Sequence, residues 1–122
     1  MKEFNTDVLI VGSGLVGLVA AHCLSSLNYK VILADKKTFI NSTNVLKDTR
    51  TVAISEGSKI FLENLSLWGF LESFVEPIKY INVYDRSSRH KILFNNQNKN
   101  KKLGYVIENK KFSKILINQL KV

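Results

Sequence analysis

Three glycines stand at a spacing that can hold a phosphate group. Gly12, Gly14 and Gly17 form the pattern Gly-x-Gly-x-x-Gly, directly after an apolar run and before a helical pattern. Gly12 permits a sharp turn, Gly14 lets a pyrophosphate approach the backbone without a Cβ in the way, and Gly17 lets the helix pack closely on the strand. A phosphate there would face unpaired N–H groups and the positive end of the helix dipole. The spacing predicts nucleotide binding; the alternative is a tight turn without a ligand.

An acidic residue at the end of the second apolar run extends this pattern. Asp35 closes the segment VILAD, 18 residues beyond Gly17. A carboxylate there can accept hydrogen bonds from both ribose hydroxyls of an adenosine, and it would repel a 2′-phosphate. The pattern therefore predicts FAD or NAD and disfavours NADP. The alternative is that Asp35 only solvates the end of a strand.

The remaining reactive side chains predict neither a catalytic nor a metal centre. One cysteine and two histidines make a disulfide or an ordinary metal site unexpected. Cys23 is predicted to be a small buried hydrophobe, with His22 on a helix face and His90 at a strand start. Trp68 and Tyr105 are predicted to be core residues rather than stacking platforms for a cofactor.

Composition and charge are those of a globular protein. The 122 residues are 45% apolar and 23% charged, and the apolar stretches predict neither a signal peptide nor a membrane span, so a cytoplasmic location is expected. The net charge is +8, but residues 99–122 hold seven of the 15 lysines, and there are only three arginines. This distribution disfavours nucleic acid as a partner. It predicts a solvated lysine face, with attraction to an anionic membrane surface as the alternative.

The elements that must position the glycines form a β-α-β pattern. A fully buried strand is predicted over 7–11, a helix over 14–27 and a second buried strand over 31–34. Their length suits one parallel β-α-β unit with a right-handed crossover. The predicted fold class is α/β, an incomplete Rossmann-like unit followed by part of a second β-sheet and a C-terminal helix.

The rest of the chain is predicted as shorter elements. A polar, irregular stretch covers 36–51, and a helix capped by Ser55 follows over 56–67, with Ile60, Phe61, Leu65 and Leu67 as its apolar positions. A second helical stretch stops near Pro77. Two strands over 78–85 and 90–94 form a hairpin, and residues 95–102 form a polar loop. A strand over 103–107 leads to a helix capped by Asn109, with Phe112, Ile115, Leu116 and Leu120 on its apolar face.

The order of several segments resembles the aromatic-ring flavoprotein monooxygenases, specifically the ubiquinone-biosynthesis hydroxylase family. The segments are DVLIVGSGLVGLVAAHCL, VILAD, DTRTVAIS, LSLWGFLESFVEPIKYINVYD and LGYVIENKKFSKILINQL. DTRTVAIS is similar to the family's Asp-x-Arg segment, whose arginine lies along the flavin. Arg50 would then contact the isoalloxazine or the pyrophosphate region; the alternative is that it only pairs with Asp48. Asp35 stands where the family more often has glutamate.

The resemblance implies a function. FAD would be the cofactor, NAD(P)H the co-substrate of the full-length family, and a polyprenylated aromatic compound the substrate that is hydroxylated in ubiquinone biosynthesis. Such a protein would be cytoplasmic or peripheral to the inner membrane. No residue is predicted to be catalytic and none to bind a metal. The predicted cofactor-binding residues are Gly12, Ser13, Gly14, Leu15, Val16, Gly17, Asp35, Lys36 and Arg50.

The resemblance covers only the N-terminal portion of such an enzyme. The family's later Asp-Gly and Gly-Asp motifs and most of its substrate domain have no counterpart in the sequence. Residues 1–77 are expected to belong to the FAD domain, 78–102 to a partial substrate domain, and 103–122 to a return strand and helix. The expected protein is an FAD-binding fragment, inactive alone, from a split or degraded gene. Its C-terminal helix and hairpin would lack apolar partners unless a complementing chain supplied them.

Two other classes of protein remain open. One is a self-standing FAD- or NAD-binding module without catalysis, which would need a complete sheet. The other is part of an NAD-dependent dehydrogenase, which would give the DTRTVAIS and LSLWGF segments no role.

Overall fold

Residues 8–34 form the expected β-α-β unit. The computed structural model describes residues 3–36, 48–87, 90–96 and 102–120. Strand β1 (Val8–Val11) and strand β2 (Val31–Ala34) are parallel and are joined by helix α1 (Leu15–Ser26). The α/β fold class is confirmed.

Strand β1 is not fully buried, contrary to the prediction. Its side chains alternate between half-buried and exposed, and Val11 is 83% exposed. The reason is that successive side chains of a strand point to opposite faces. Among the described residues, α1 packs on one face of this sheet and no layer covers the other.

A second sheet contains a strand that the sequence did not predict. Strands β3 (Thr51–Ser55) and β4 (Glu76–Ile78) both pair antiparallel with a central strand, β7 (Gly104–Glu108). The predicted irregular stretch extended to residue 51, Ser55 was predicted only as a helix cap, and no element was predicted over 52–54. The predicted helix end near Pro77 is also wrong, because Pro77 lies in β4. An edge strand tolerates proline, which has no N–H to donate.

Two helices lie between β3 and β4. Helix α2 (Glu56–Asn64) has the predicted cap, since the Ser58 N–H donates to the Ser55 Oγ at 3.1 Å. It ends earlier than predicted, and helix α3 (Trp68–Leu71) and a 3₁₀ turn (Glu72–Phe74) follow after Ser66, whose φ is positive. The predicted apolar face was wrong in part: Ile60 and Phe61 are exposed, while Leu62 is buried.

Helix α4 (Asn109–Gln119) packs against α1 and α3. The expectation that its apolar face lacks partners is wrong, because Phe112 and Leu116 are buried. The His22 Nε2 lies 2.8 Å from the Leu116 carbonyl oxygen and links α1 to α4. The predicted cap was also wrong. Glu108 occupies the cap position without a side-chain capping hydrogen bond, and the Asn109 side chain contacts Asp48 instead.

One apolar core joins the β-α-β unit, the second sheet and α4. It includes the two aromatic residues predicted for it, Trp68 and Tyr105, whose ring centroids are 5.0 Å apart in an edge-to-face arrangement. Cys23 is half-buried rather than buried. The buried core residues are Leu18, Ala21, Ile54, Leu62, Leu67, Trp68, Leu71, Ile107, Phe112 and Leu116.

Strands β5 (Tyr80–Tyr84) and β6 (Lys91–Asn95) form the predicted hairpin. All ten residues are exposed. Paired residues share a face, so Ile81, Val83, Ile92 and Phe94 form one apolar face. Most of the predicted polar loop and of the predicted irregular stretch lies outside the described residues.

Candidate dinucleotide site

The glycine loop connects β1 to α1 in a conformation that needs two of its glycines. Gly12 has a φ of +111°, which L side chains rarely adopt, and its N–H donates to the Ala34 carbonyl oxygen at 2.7 Å. Gly17 lies against this turn, and a Cβ there would overlap the Gly12 carbonyl oxygen. The sequence interpretation of Gly12 as the turn and Gly17 as the close contact agrees with this geometry.

Gly14 has a different environment from the other two glycines. It is the N-cap of α1, its backbone is extended, and a Cβ would meet no atom within 4 Å. No side chain caps α1, and its first turn contains no acidic residue. The N–H groups at the start of a helix have no intrahelical partner. The space beside Gly14 can therefore receive an anion that these N–H groups would bind.

The other predicted residues of the loop differ in burial. Leu15 packs against the core, while Val16 is exposed. Leu15 and Val16 would offer a ligand mainly their backbone N–H groups, and their side chains anchor the helix or face solvent. Ser13 is half-buried and is bonded to Asp35, the residue that follows β2.

Asp35 lies at the end of β2 and is bonded across the loop to Ser13. The Ser13 N–H and Oγ both donate to the Asp35 Oδ2, at 2.7 and 2.6 Å. The sequence predicted both residues as cofactor-binding but not this contact, since they are 22 positions apart. The bonds hold the carboxylate beside the glycine loop. Lys36 follows Asp35 and is exposed.

Arg50 lies just before β3 in a network with Asp48 and Asn109. The Arg50 Nε and Nη2 donate to the two Asp48 carboxylate oxygens at 2.9 and 2.8 Å, and the Arg50 N–H donates to Oδ1 at 3.0 Å. The Asn109 Nδ2 donates to Oδ2 at 3.0 Å. The pair that the sequence offered as an alternative role for Arg50 is thus present.

These bonds change the acidity of both charged groups. Hydrogen bonds from the Arg50 side chain, the Asn109 side chain and the Arg50 backbone hold the pKa of Asp48 well below its usual range. The same pairing raises the pKa of Arg50. The sequence missed the role of Asn109, which is 61 positions from Asp48 and carries no local signal of the contact.

The described residues of the loop present the N–H groups at the start of α1 to open space beside Gly14. Over residues 3–36, 48–87, 90–96 and 102–120, no cluster of His, Cys, Asp and Glu could hold a metal ion. Within the same ranges, no helix is long and apolar enough to cross a membrane.

Comparisons with curated proteins find relatives that include an FAD-dependent monooxygenase, a phospholipid reductase and a ubiquinone hydroxylase. The chain is 29% identical over 83 residues to the FAD-dependent monooxygenase andE of Emericella variicolor, covering 68% of this chain and 17% of that protein. It is 29% identical over 113 residues to the digeranylgeranylglycerophospholipid reductase of Picrophilus torridus, covering 92% and 26%. It is 29% identical over 114 residues to the ubiquinone hydroxylase UbiL of Rhodospirillum rubrum, covering 93% and 27%. The chain thus spans about a quarter or less of the length of these relatives.

A solved structure supports the fold. PqsL of Pseudomonas aeruginosa, determined as a mutant, superposes with a TM-score of 0.72 at 15% identity over 93% of this chain and 30% of that chain. This likeness concerns the fold alone.

The family assignment depends on the segment that contains the loop. Residues 10–74, more than half of the chain, match the NAD(P)-binding Rossmann-like domain family. The matched segment includes Gly12, Gly14, Gly17 and Asp35, the residues that the structure brings together at the end of β1. The chain belongs to the NAD(P)-binding Rossmann-like domain family.

Proposed function

We propose that the chain is the FAD-binding part of a flavoprotein monooxygenase of the ubiquinone-hydroxylase type. The observation that carries this proposal is the loop around Gly14, which leaves open space beside this glycine at the start of α1 and holds the Asp35 carboxylate through Ser13. Relatives described as an FAD-dependent monooxygenase and a ubiquinone hydroxylase support FAD as the dinucleotide.

The residues of this chain would bind and orient the cofactor. The N–H groups at the start of α1 would hold the pyrophosphate, and Asp35 would accept hydrogen bonds from the adenosine ribose. Arg50 would lie along the flavin. The flavin itself supplies the redox chemistry by which O₂ and NAD(P)H hydroxylate an aromatic ring. A polyprenylated ring as substrate, and a peripheral position at the inner membrane, follow from the ubiquinone assignment and are part of the proposal.

Two other functions compete with this one. A reductase acting on an isoprenoid lipid is favoured by the match to the Picrophilus torridus enzyme, which covers about as much of the chain as the match to UbiL. A dinucleotide-binding module without catalysis would use the same loop. Either function leaves the choice of dinucleotide open.

Binding constants for four ligands test the cofactor assignment. The purified chain is titrated with FAD, NAD⁺, NADP⁺ and ADP by calorimetry. The proposal expects FAD to bind most tightly, and NADP⁺ more weakly than NAD⁺, because the Asp35 carboxylate repels the 2′-phosphate. Tighter binding of NAD⁺ than of FAD would contradict the flavin assignment. Binding of none of the four would contradict dinucleotide binding itself.

Activity would also require polypeptide that covers the hairpin, and we include this partner in the proposal. The apolar face formed by Ile81, Val83, Ile92 and Phe94 is exposed, and the relatives are about four times as long as the part that aligns. The proposed partner is a chain carrying the remainder of such an enzyme. Phe94→Asp should abolish its co-purification, whereas Leu93→Asp on the opposite face should not. Equal capture by both variants would contradict this docking face.

A further inference from the structure

Arg50 is an exposed arginine whose guanidinium is nevertheless held in one orientation. Its side chain is 78% exposed, yet Nε and Nη2 donate hydrogen bonds to the two carboxylate oxygens of Asp48. Its backbone is fixed as well, because the N–H donates to Asp48 and the carbonyl oxygen accepts from the Asn109 N–H at 2.9 Å. Ordering a long exposed side chain costs conformational entropy, so surface pairs of this kind add little stability.

Asp48 differs from Arg50 in exposure and anchoring. Its side chain is only 17% exposed, and its carboxylate accepts four hydrogen bonds, three from Arg50 and one from the Asn109 side chain. Asn109 is the first residue of α4, a helix that packs in the core. The bond from Asn109 thus holds the Asp48 carboxylate in place relative to the core, and the carboxylate in turn fixes the orientation of the Arg50 guanidinium.

The guanidinium keeps binding capacity in this arrangement. Arginine has five N–H donors in a planar fork, and Asp48 uses one on Nε and one on Nη2. The other three N–H groups form no bond among the described residues, and the side chain as a whole is 78% exposed. A donor held in advance of binding loses less entropy when the ligand arrives.

We propose that Asp48 and Asn109 are positioning residues that hold Arg50 as a preorganised donor to the flavin half of the cofactor. This inference rests on the proposed function, because it takes FAD as the ligand. It goes beyond it by giving Asp48 and Asn109 a role in affinity, although neither side chain is proposed to touch the cofactor.

The sign of the effect of Asp48→Asn separates positioning from simple electrostatics. Removing a negative charge beside an anionic ligand should strengthen binding if only the Coulomb interaction matters. If Asp48 positions Arg50, FAD should instead bind about tenfold more weakly, the typical scale of one lost charge-assisted hydrogen bond. ADP, which lacks the flavin half, should bind within about twofold of wild type.

Matched variants control for charge and for folding. Asp85→Asn removes the same charge from an aspartate elsewhere, an exposed one that accepts bonds from the Ser87 N–H and Oγ in the hairpin. It should leave both ligands unaffected. Asn109→Ala keeps the charge and loosens Asp48, so it should weaken FAD by a smaller factor, and it replaces Asp48→Asn if that variant fails to fold.

The experiment is titration of the full 122-residue chain and these variants with FAD and ADP, with the Arg50 Nε–H resonance followed by NMR. Selective loss of FAD affinity, together with faster exchange of the Arg50 Nε–H, would support the proposal. Unchanged or tighter FAD binding by Asp48→Asn, or equal loss of ADP, would overturn it. If wild type binds ADP but not FAD, the flavin assignment itself fails, and this inference with it; if it binds neither, dinucleotide binding fails.

Discussion

At the scale of single residues, Gly14 and Gly17 make different demands on the loop. Gly14 has open space where a side chain would project, whereas Gly17 touches the Gly12 carbonyl group. The first glycine therefore matters for the ligand and the second for the fold. Single substitutions can separate the two roles.

Gly17→Ala should destabilise the protein. The added methyl group overlaps the Gly12 carbonyl oxygen, so α1 must move away from β1. Overpacking of this kind costs about 1–3 kcal/mol in the free energy of unfolding. Urea unfolding measures the loss. Gly57→Ala is the control, because its Cβ would meet only the Ser55 Oγ at 3.9 Å; equal midpoints for the two variants would contradict the close contact.

The charge of Asp48 should persist in acid. Its pKa is lowered first by the Arg50 side chain, so the ionised pair stabilises the fold above the ordinary aspartate pKa, about 3.9, and is lost only when the pH falls through the lower folded-state value. No protonation of Asp48 is therefore expected between pH 7 and 4. The carboxyl ¹³C shift, followed by NMR, reports it. A midpoint near the ordinary value would show that the pair does not hold in solution.

At the scale of elements, the parts predicted correctly are those whose signals are local. The β-α-β unit is marked by apolar runs and glycines, the α2 cap by Ser55, and the hairpin by alternation around a polar turn. Strand β3 was missed because it is a short alternating segment, and the strand that pairs with it, β7, lies some 50 residues further along the chain. The position of α4 was also missed, since its packing against α1 depends on contacts that no local pattern records.

The burial of α4 predicts a large loss of stability when Leu116, which the sequence analysis expected to lack packing partners, is shortened. Leu116 is 0% exposed and belongs to the same core as Leu18 of α1. Leu116→Ala should lower the free energy of unfolding by about 2–5 kcal/mol. Chemical denaturation followed by Trp68 fluorescence gives the value. Ile60→Ala, on the exposed side of α2, should change it by less than about 0.5 kcal/mol, and similar losses for both would contradict the packing of α4.

For the site, the sequence was enough to identify candidate residues but not the hydrogen bonds between them. The spacing of the glycines and of Asp35 was enough to predict a nucleotide loop. The Ser13–Asp35 bonds and the Asp48–Asn109 bond join residues 22 and 61 positions apart, and they became visible only once the fold had brought them together.

At the scale of the whole molecule, stability is unevenly distributed. The core joins α1, the second sheet and α4, whereas the described hairpin residues are all exposed. Two-stranded hairpins are marginal without packing. Amide hydrogen exchange should therefore be fast at Val83 and slow at Ile107, with the hairpin opening well below the free energy of global unfolding. Equal protection would indicate that the hairpin is covered, for example by a second copy of the chain.

The central claim is that the Gly14 loop binds a dinucleotide, and one substitution tests it most directly. Gly14→Val places a side chain in the space proposed for the pyrophosphate, and its Cβ would have no described atom within 4 Å. Gly57→Val is the control, because it adds the same side chain to the first turn of α2. Calorimetric titration with FAD and ADP, alongside thermal melts, compares both with wild type. Gly14→Val should fold but lose binding of both ligands, whereas Gly57→Val should keep it. Equal ligand binding by wild type and Gly14→Val would contradict dinucleotide binding at this loop.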